Sequence, residues 1–236
     1  MQAIIMAAGK GSRIHHLTNG LPKSFLQING ESLIDRNIEM IQEQGIRDIA
    51  IVVGYRADAF HDRYDDMPGV TLIDNPFYEM TNVIGSFWMG RNVLHDDFIY
   101  WHADTICEKA LFEDLLQEEG EIVLPVDTKP LDEEAMKVQL DETGQVVKLT
   151  KKMPVEQAAG EFIGIAKMSK RVIPALQAAA TALMWEKAFD EYFEAAIQRL
   201  IDQKKFDIRM MDTKRRFWAE VDFEEDYQRA CKQLKD

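Results

Sequence analysis

Ala3-Ile4-Ile5-Met6-Ala7 is a continuous apolar run that gives way to Gly9 and Gly11, the pattern of a central strand buried on both faces and closed by a turn. Beyond Ser32 the period changes. Leu33, Ile34, Ile38 and Ile41 fall on one helical face with Gly45 in the C-cap position, which predicts a helix of about thirteen residues. The β-branched segment Asp48–Val53 returns as a strand, and the right-handed crossover rule makes it parallel to the first. The alternation continues, with strands predicted at 70–73, 97–101, 121–126 and 161–168 and helices at 83–94, 109–117, 169–181 and 185–203. Repeated β-α order of this kind predicts an α/β fold with a doubly wound, mostly parallel sheet.

One stretch breaks the rhythm. Residues 136–140 and 145–149 alternate with a period of two around Asp141-Glu142-Thr143-Gly144, a hairpin signal. A small antiparallel excursion at about 134–152 is therefore expected within a single domain covering 1–236. No repeat or Pro/Gly-rich linker argues for a second unit.

Composition narrows the partners. With 41 acidic against 28 basic residues the formal charge is −13, which disfavours a nucleic-acid partner because polyanion binding needs a basic stripe. An anionic ligand must then meet a local cluster of Lys, Arg or metal. Cys107 and Cys231 fit no metal-ligand spacing and read as reduced thiols. The first apolar run is too short for a secretory signal, and none approaches the ~20 residues that span a bilayer. A cytoplasmic protein without a membrane partner is expected.

The most informative segment is Ala7-Ala8-Gly9-Lys10-Gly11-Ser12-Arg13, followed by Pro22-Lys23. Glycines after a buried strand let backbone N–H groups converge on an anion, and Arg13 and Lys23 supply positive charge. The dinucleotide fingerprint needs a third glycine where Ile14 stands, and the Gly-Lys-Ser/Thr of a P-loop is absent. A simple tight turn explains the glycines but not the two cations. Asp104 follows the apolar strand Phe98-Ile99-Tyr100-Trp101, and Asp222 closes Phe217-Trp218-Ala219-Glu220-Val221. Strand-end carboxylates at the carboxyl edge of a parallel sheet can hold one Mg²⁺; the alternative for each is a helix N-cap.

This combination resembles the signature of nucleotidyltransferases that activate sugar phosphates and phosphorylated head groups. The resemblance extends through Asn75-Pro76-Phe77-Tyr78, Thr81-Asn82, Asp104, the run Leu131-Asp132-Glu133-Glu134-Ala135-Met136-Lys137-Val138, Glu161-Phe162-Ile163-Gly164-Ile165-Ala166 and Val221-Asp222. It points to the branch of phosphocholine and 2-aminoethylphosphonate cytidylyltransferases, with a Rossmann-like nucleotidyltransferase fold. It implies CTP and a phosphorylated or phosphonate head group as small-molecule substrates, Mg²⁺ on Asp104 and Asp222, and a nucleotide site of Ala7 to Arg13, Lys23, Asn82 and Ser86. Arg13, Lys23 and Lys151 are the implied catalytic cations.

For the acceptor, the resemblance implies Lys151, with Lys129 as a second lysine, and the element Tyr192-Phe193-Glu194. Aromatic faces and a carboxylate suit a cationic head group, although Trp185, Phe189 and Phe193 at four-residue intervals also read as core. Two departures stand out. His102 replaces a small residue two positions before Asp104, and is left out of the catalytic set as a packed histidine. No aromatic stands near Ala135-Met136. A sugar-1-phosphate nucleotidyltransferase and a catalytically silent nucleotide-binding regulator are the competing readings. Oligomeric state stays open, a homodimer included.

Overall fold

The computed structural model of the protein describes residues 1–234. Its main sheet contains β1 (Gln2–Ala7), β2 (Asp48–Val53), β3 (Val70–Asp74), β4 (Phe98–His102), β5 (Ile122–Asp127), β6 (Lys137–Leu140), β7 (Val146–Thr150), β8 (Gly160–Phe162), β9 (Ile165–Met168) and β10 (Ile208–Asp212). The helices are α1 (Leu33–Glu43), α2 (Ala57–Tyr64), α3 (Val83–Gly90), α4 (Lys109–Gln117), α5 (Ile173–Trp185), α6 (Glu194–Gln203) and α7 (Glu224–Gln233). Across the sheet the order is β3-β2-β1-β4-β9-β5, with β10 on the other side of β5. All neighbours are parallel except β9, which runs against both β4 and β5. β8 pairs with the far end of β5 and carries the antiparallel β6-β7 hairpin outward.

Side-chain alternation along each strand separates two cores. Ile4, Val52, Phe98 and Tyr100 meet Ile84, Phe87, Leu176 and Ile197 from α3, α5 and α6. Ile5, Ile51, Ile99 and Trp101 meet Ile38, Ile41, Phe60 and Phe112 from α1, α2 and α4. Each such fully buried side chain contributes roughly 1.5–3 kcal/mol, so the doubly wound arrangement follows from strands that are apolar on both faces. A third cluster places Val221, Ala230 and Leu234 against Ile14, Leu26 and Ile28. That cluster folds the C-terminal segment back onto the loop after β1.

Several expected boundaries shift. The strand expected at 161–168 is broken into β8 and β9 at Gly164, which has φ +79°. The helix expected at 185–203 begins only at Glu194. α5 instead runs on to Trp185, and Lys187, at φ +60°, reverses the chain while Ala188 N–H bonds the Leu183 carbonyl at 3.0 Å. The four-residue recurrence is not one face: Trp185 is 83% exposed and Phe193 is fully buried. No helix among the described residues is long and apolar enough to cross a membrane.

Candidate active site

β1 and β4 are adjacent and parallel, so the loops after Ala7 and His102 leave the sheet side by side. Ala103 N–H bonds the Met6 carbonyl at 3.1 Å and Tyr55 N–H the Ala8 carbonyl at 3.0 Å. These bonds fix the start of the glycine loop. Gly11 has φ +59°, and a Cβ there would lie 2.5 Å from Lys23 Cβ; the position accepts only glycine. A Cβ at Gly9 would meet nothing within 4 Å, because that side opens into cavities. Buried Ile14 anchors the 3₁₀ turn Ser12–Leu17 that presents Arg13.

Lys23 crosses beneath this loop. Its Nζ lies 2.5 Å from Asp104 Oδ2 and 2.6 Å from Asp222 Oδ1, and Arg13 Nη1 lies 3.0 Å from Asp222 Oδ2. Burial opposes the Lys23 charge, but the two carboxylates outweigh it and hold the ammonium above its ordinary range. Burial likewise opposes ionisation of Asp104, and Lys23 reverses that to keep its carboxyl below the usual value. Asp222 is not spent on capping. Asp226 reaches back instead, accepting from Phe223 N–H at 3.0 Å, as an N3 carboxylate does.

Two residues outside the expected set join the cluster. His102, Asp104 and Glu220 bring ligand atoms within 4.8 Å of one another. Val221 N–H bonds the Asp104 carbonyl at 3.0 Å, so the ends of β4 and of the short strand Trp218–Glu220 lie together. His102-x-Asp104 and Glu220-x-Asp222 share an i, i+2 spacing across two strand ends; that spacing is readable in the sequence. Glu220 is exposed, and the protein crowding its carboxyl, with Asp104 and Asp222 nearby, raises that carboxyl above its ordinary range. His102 Nε2 is 2.7 Å from the Tyr100 hydroxyl.

Two cavities meet at Gly9 and Asp104. One, of about 290 Å³, is lined by Ala7, Gly11, Ser12, Arg13, Lys23 and Asp222 among others. The second, of about 420 Å³, has Ala8, Asn82, Ser86, His102, Tyr78 and Tyr192 with the acids Glu79, Asp190 and Glu220. Asn82 caps α3, its Oδ1 accepting from Val83 N–H at 2.7 Å, and Ser86 accepts from buried Asn75 at 3.1 Å. Lys10 lies over the Tyr55 ring at 5.8 Å.

On the acceptor side the expectations divide. Lys151 Nζ stands over the Tyr192 ring at 4.6 Å, and Glu194 is buried with its Oε2 unpartnered among the described residues. Phe193 as a pocket wall is corrected: its ring stacks on Tyr100 with centroids 3.8 Å apart and belongs to the core. Lys129 pairs with Asp127 at 3.1 Å; of the expected acceptor residues only Tyr192 lines a cavity, and Lys129, Lys151 and Glu194 line neither.

Comparison with known proteins fits this geometry. Residues 3–192 match the sequence profile of the MobA-like NTP transferase domain. A choline-phosphate cytidylyltransferase of Streptococcus pneumoniae is 37% identical over 48% of this chain, a match spanning about half (48%) of that relative's own length. A 2-aminoethylphosphonate cytidylyltransferase of Lancefieldella rimae is 36% identical over 46% of the chain and 42% of the relative. A CTP:phosphoglutamine cytidylyltransferase of Campylobacter jejuni is 26% identical over 96% of this chain and 97% of its own. In fold, the CTP:phosphocholine cytidylyltransferase structure from Streptococcus pneumoniae superposes with a TM-score of 0.83 at 24% identity, covering 99% of both chains.

Proposed function

This chain belongs to the MobA-like NTP transferase family, and from that premise we propose that it is a cytidylyltransferase, moving CMP from CTP to a small amine-bearing phosphate or phosphonate and releasing pyrophosphate. Acceptors of the phosphocholine and 2-aminoethylphosphonate kind are supported by the relatives that act on them and by the acid-lined cavity. The observation that carries the reading is Lys23, held between Asp104 and Asp222 at the mouth of the glycine loop.

An acceptor oxygen attacks the α-phosphorus in line; the new O–P bond forms as the bond to the pyrophosphate oxygen breaks. That oxygen is ionised at neutral pH, so no general base is required. The barrier is the approach of two anions. Arg13 and Lys23 lower it by meeting the triphosphate with fixed positive charge, and Lys151 does the same for the acceptor phosphate. Asn82 and Ser86 offer polar groups to the base at the start of α3.

The donor set suits Mg²⁺: Asp104 and Asp222 already gather their oxygens around one cation, the Lys23 ammonium, and hard carboxylate oxygens are what magnesium takes. Those two residues would hold it, and when bound it neutralises charge on the phosphates. Of the rings expected to cradle the acceptor's cation, Tyr192 already carries Lys151 and Phe193 lies in the core. Carboxylates remain, which favours a primary ammonium that donates hydrogen bonds over a quaternary one.

Pyrophosphate release is measured with ATP, CTP, GTP and UTP against phosphocholine, phosphoethanolamine, 2-aminoethylphosphonate and sugar phosphates. Release is expected with CTP and an amine-bearing acceptor. Turnover of a sugar 1-phosphate in preference to all amines overturns the acceptor reading, and silence with every pair overturns catalysis.

A further inference from the structure

Lys137, the first residue of β6, is only 1% exposed. A lysine buried to this degree ordinarily has a carboxylate partner, yet among the described residues none forms an ion pair with it. Its ammonium donates instead to three backbone carbonyls: Glu133 at 2.6 Å, Ala135 at 3.3 Å and Lys151 at 2.9 Å. Three protons meet three acceptors, which satisfies the group completely.

The acceptors lie on two separate segments. Glu133 and Ala135 belong to the turn before β6, itself shaped by Asp132, whose Oδ1 accepts from Glu134 and Ala135 N–H at 2.9 and 2.8 Å. Lys151 follows the last residue of β7, where Thr150 pairs with Lys137 across the hairpin. The ammonium therefore clips the turn at 133–135 to the exit of the hairpin. It does so at the backbone of Lys151, whose own Nζ rests on the Tyr192 face. The Lys151 side chain is thus held at both ends, by Lys137 at its root and by Tyr192 at its tip.

We propose that Lys137 is a positioning residue for the acceptor: without touching substrate, it fixes the backbone from which Lys151 reaches the acceptor phosphate. The inference rests on the proposed meeting of Lys151 with that phosphate. Placement matters because charge stabilisation depends on where the cation stands, and a shift of about 1 Å can cost up to ~100-fold in rate.

The test uses the full chain, with Lys137→Met, Lys151→Ala and the double variant. Lys137→Met is expected to lower kcat/KM for the acceptor by roughly ten- to a hundredfold, while KM for CTP stays within about twofold. Lys151→Ala should show the same split, and the double variant should be no worse than Lys151→Ala alone, because both changes act through the same lysine-to-phosphate interaction. Losses that multiply in the double variant, or a Lys137→Met loss shared equally by CTP, overturn the inference and leave the function standing. If Lys151→Ala leaves acceptor kinetics unchanged, the reading of Lys151 fails first and the inference falls with it. Should Lys137→Met not fold, Lys137→Arg keeps charge and donors but displaces the clip; a raised acceptor KM at unchanged CTP KM supports positioning, and wild-type acceptor kinetics overturn it.

Discussion

The two cavities that meet at Asp104 differ in whether their carboxylates are answered by cations. In the first, the carboxylates of Asp104 and Asp222 are answered by Lys23 and Arg13 at 2.5 to 3.0 Å. In the second, beside Asp104, Glu79, Asp190 and Glu220 line the wall, and the described residues supply neither lysine nor arginine to that lining. A cavity that supplies its own cations suits a polyanion; one that presents unmatched carboxylates suits a ligand bringing positive charge of its own. On a chain of net charge −13 the first needs deliberate construction, and the contrast supports the proposal of a triphosphate at the cations of the first cavity and an amine at the carboxylates of the second, which also holds Asn82 and Ser86.

The largest expected break in this comparison is Lys23→Ala. It removes the cation shared by both carboxylates, and turnover should fall by on the order of a hundredfold or more, as removal of a transition-state charge interaction does. Turnover within about threefold of wild type would sink the role of Lys23. Next comes Gly11→Ala, which forces a left-handed residue and a Cβ into Lys23. A stability loss of roughly 1–3 kcal/mol is expected from the strain, read as a lower denaturant midpoint. An unchanged midpoint would show that the Lys23 side chain is not packed as described.

These two sites also show what is legible in the sequence. Gly11, Arg13 and Lys23 lie within one short stretch, and each is demanded by backbone or charge, so the cradle can be read before any coordinates. The strand alternation is readable for the same reason: Ala3 to Ala7 is apolar on both faces. The acceptor side is assembled from a hairpin exit, a turn and the start of α6, which only tertiary packing brings together. Phe193 looks like a wall because its neighbours in sequence are polar or aromatic, whereas its ring direction is set by Tyr100 and Phe87. His102 and Glu220 escape a reading that weighs each strand-end aspartate singly, although their i, i+2 spacing with the two aspartates is visible. Lys137 carries no local signal, since its partners are carbonyls.

A smaller effect sharpens the acidic side. Burial, with Asp132 and Asp127 nearby, raises the Glu161 carboxyl to about 7, against its two lysine neighbours Lys151 and Lys137. A carboxyl raised in the folded state holds its proton more tightly than the unfolded chain does, so it costs stability as pH climbs through the ordinary carboxylate range toward 7, and fully above it. Glu161→Gln should therefore be more stable than wild type at pH 8 by ~1 kcal/mol after discounting for partial exposure. The gain should vanish below about pH 4. A gain equal at both pH values, measured by denaturant unfolding, would mean that packing and not charge sets the difference.

The smallest effect decides what Tyr192 does. If its ring is a platform for Lys151, Tyr192→Leu removes one cation–π interaction worth ~0.5–1 kcal/mol at a partly exposed site. That corresponds to roughly two- to fivefold in acceptor KM. The change should be the same for phosphocholine and for 2-aminoethylphosphonate, because the ring's partner is the protein's own ammonium. It should also disappear in a Lys151→Ala background. If the ring instead faces the acceptor's cation, the effect falls on phosphocholine more than on the primary amine, and persists without Lys151. The ratio of the two acceptor KM changes therefore separates platform from cage, and only the platform outcome is consistent with Lys151 lying over Tyr192 at 4.6 Å.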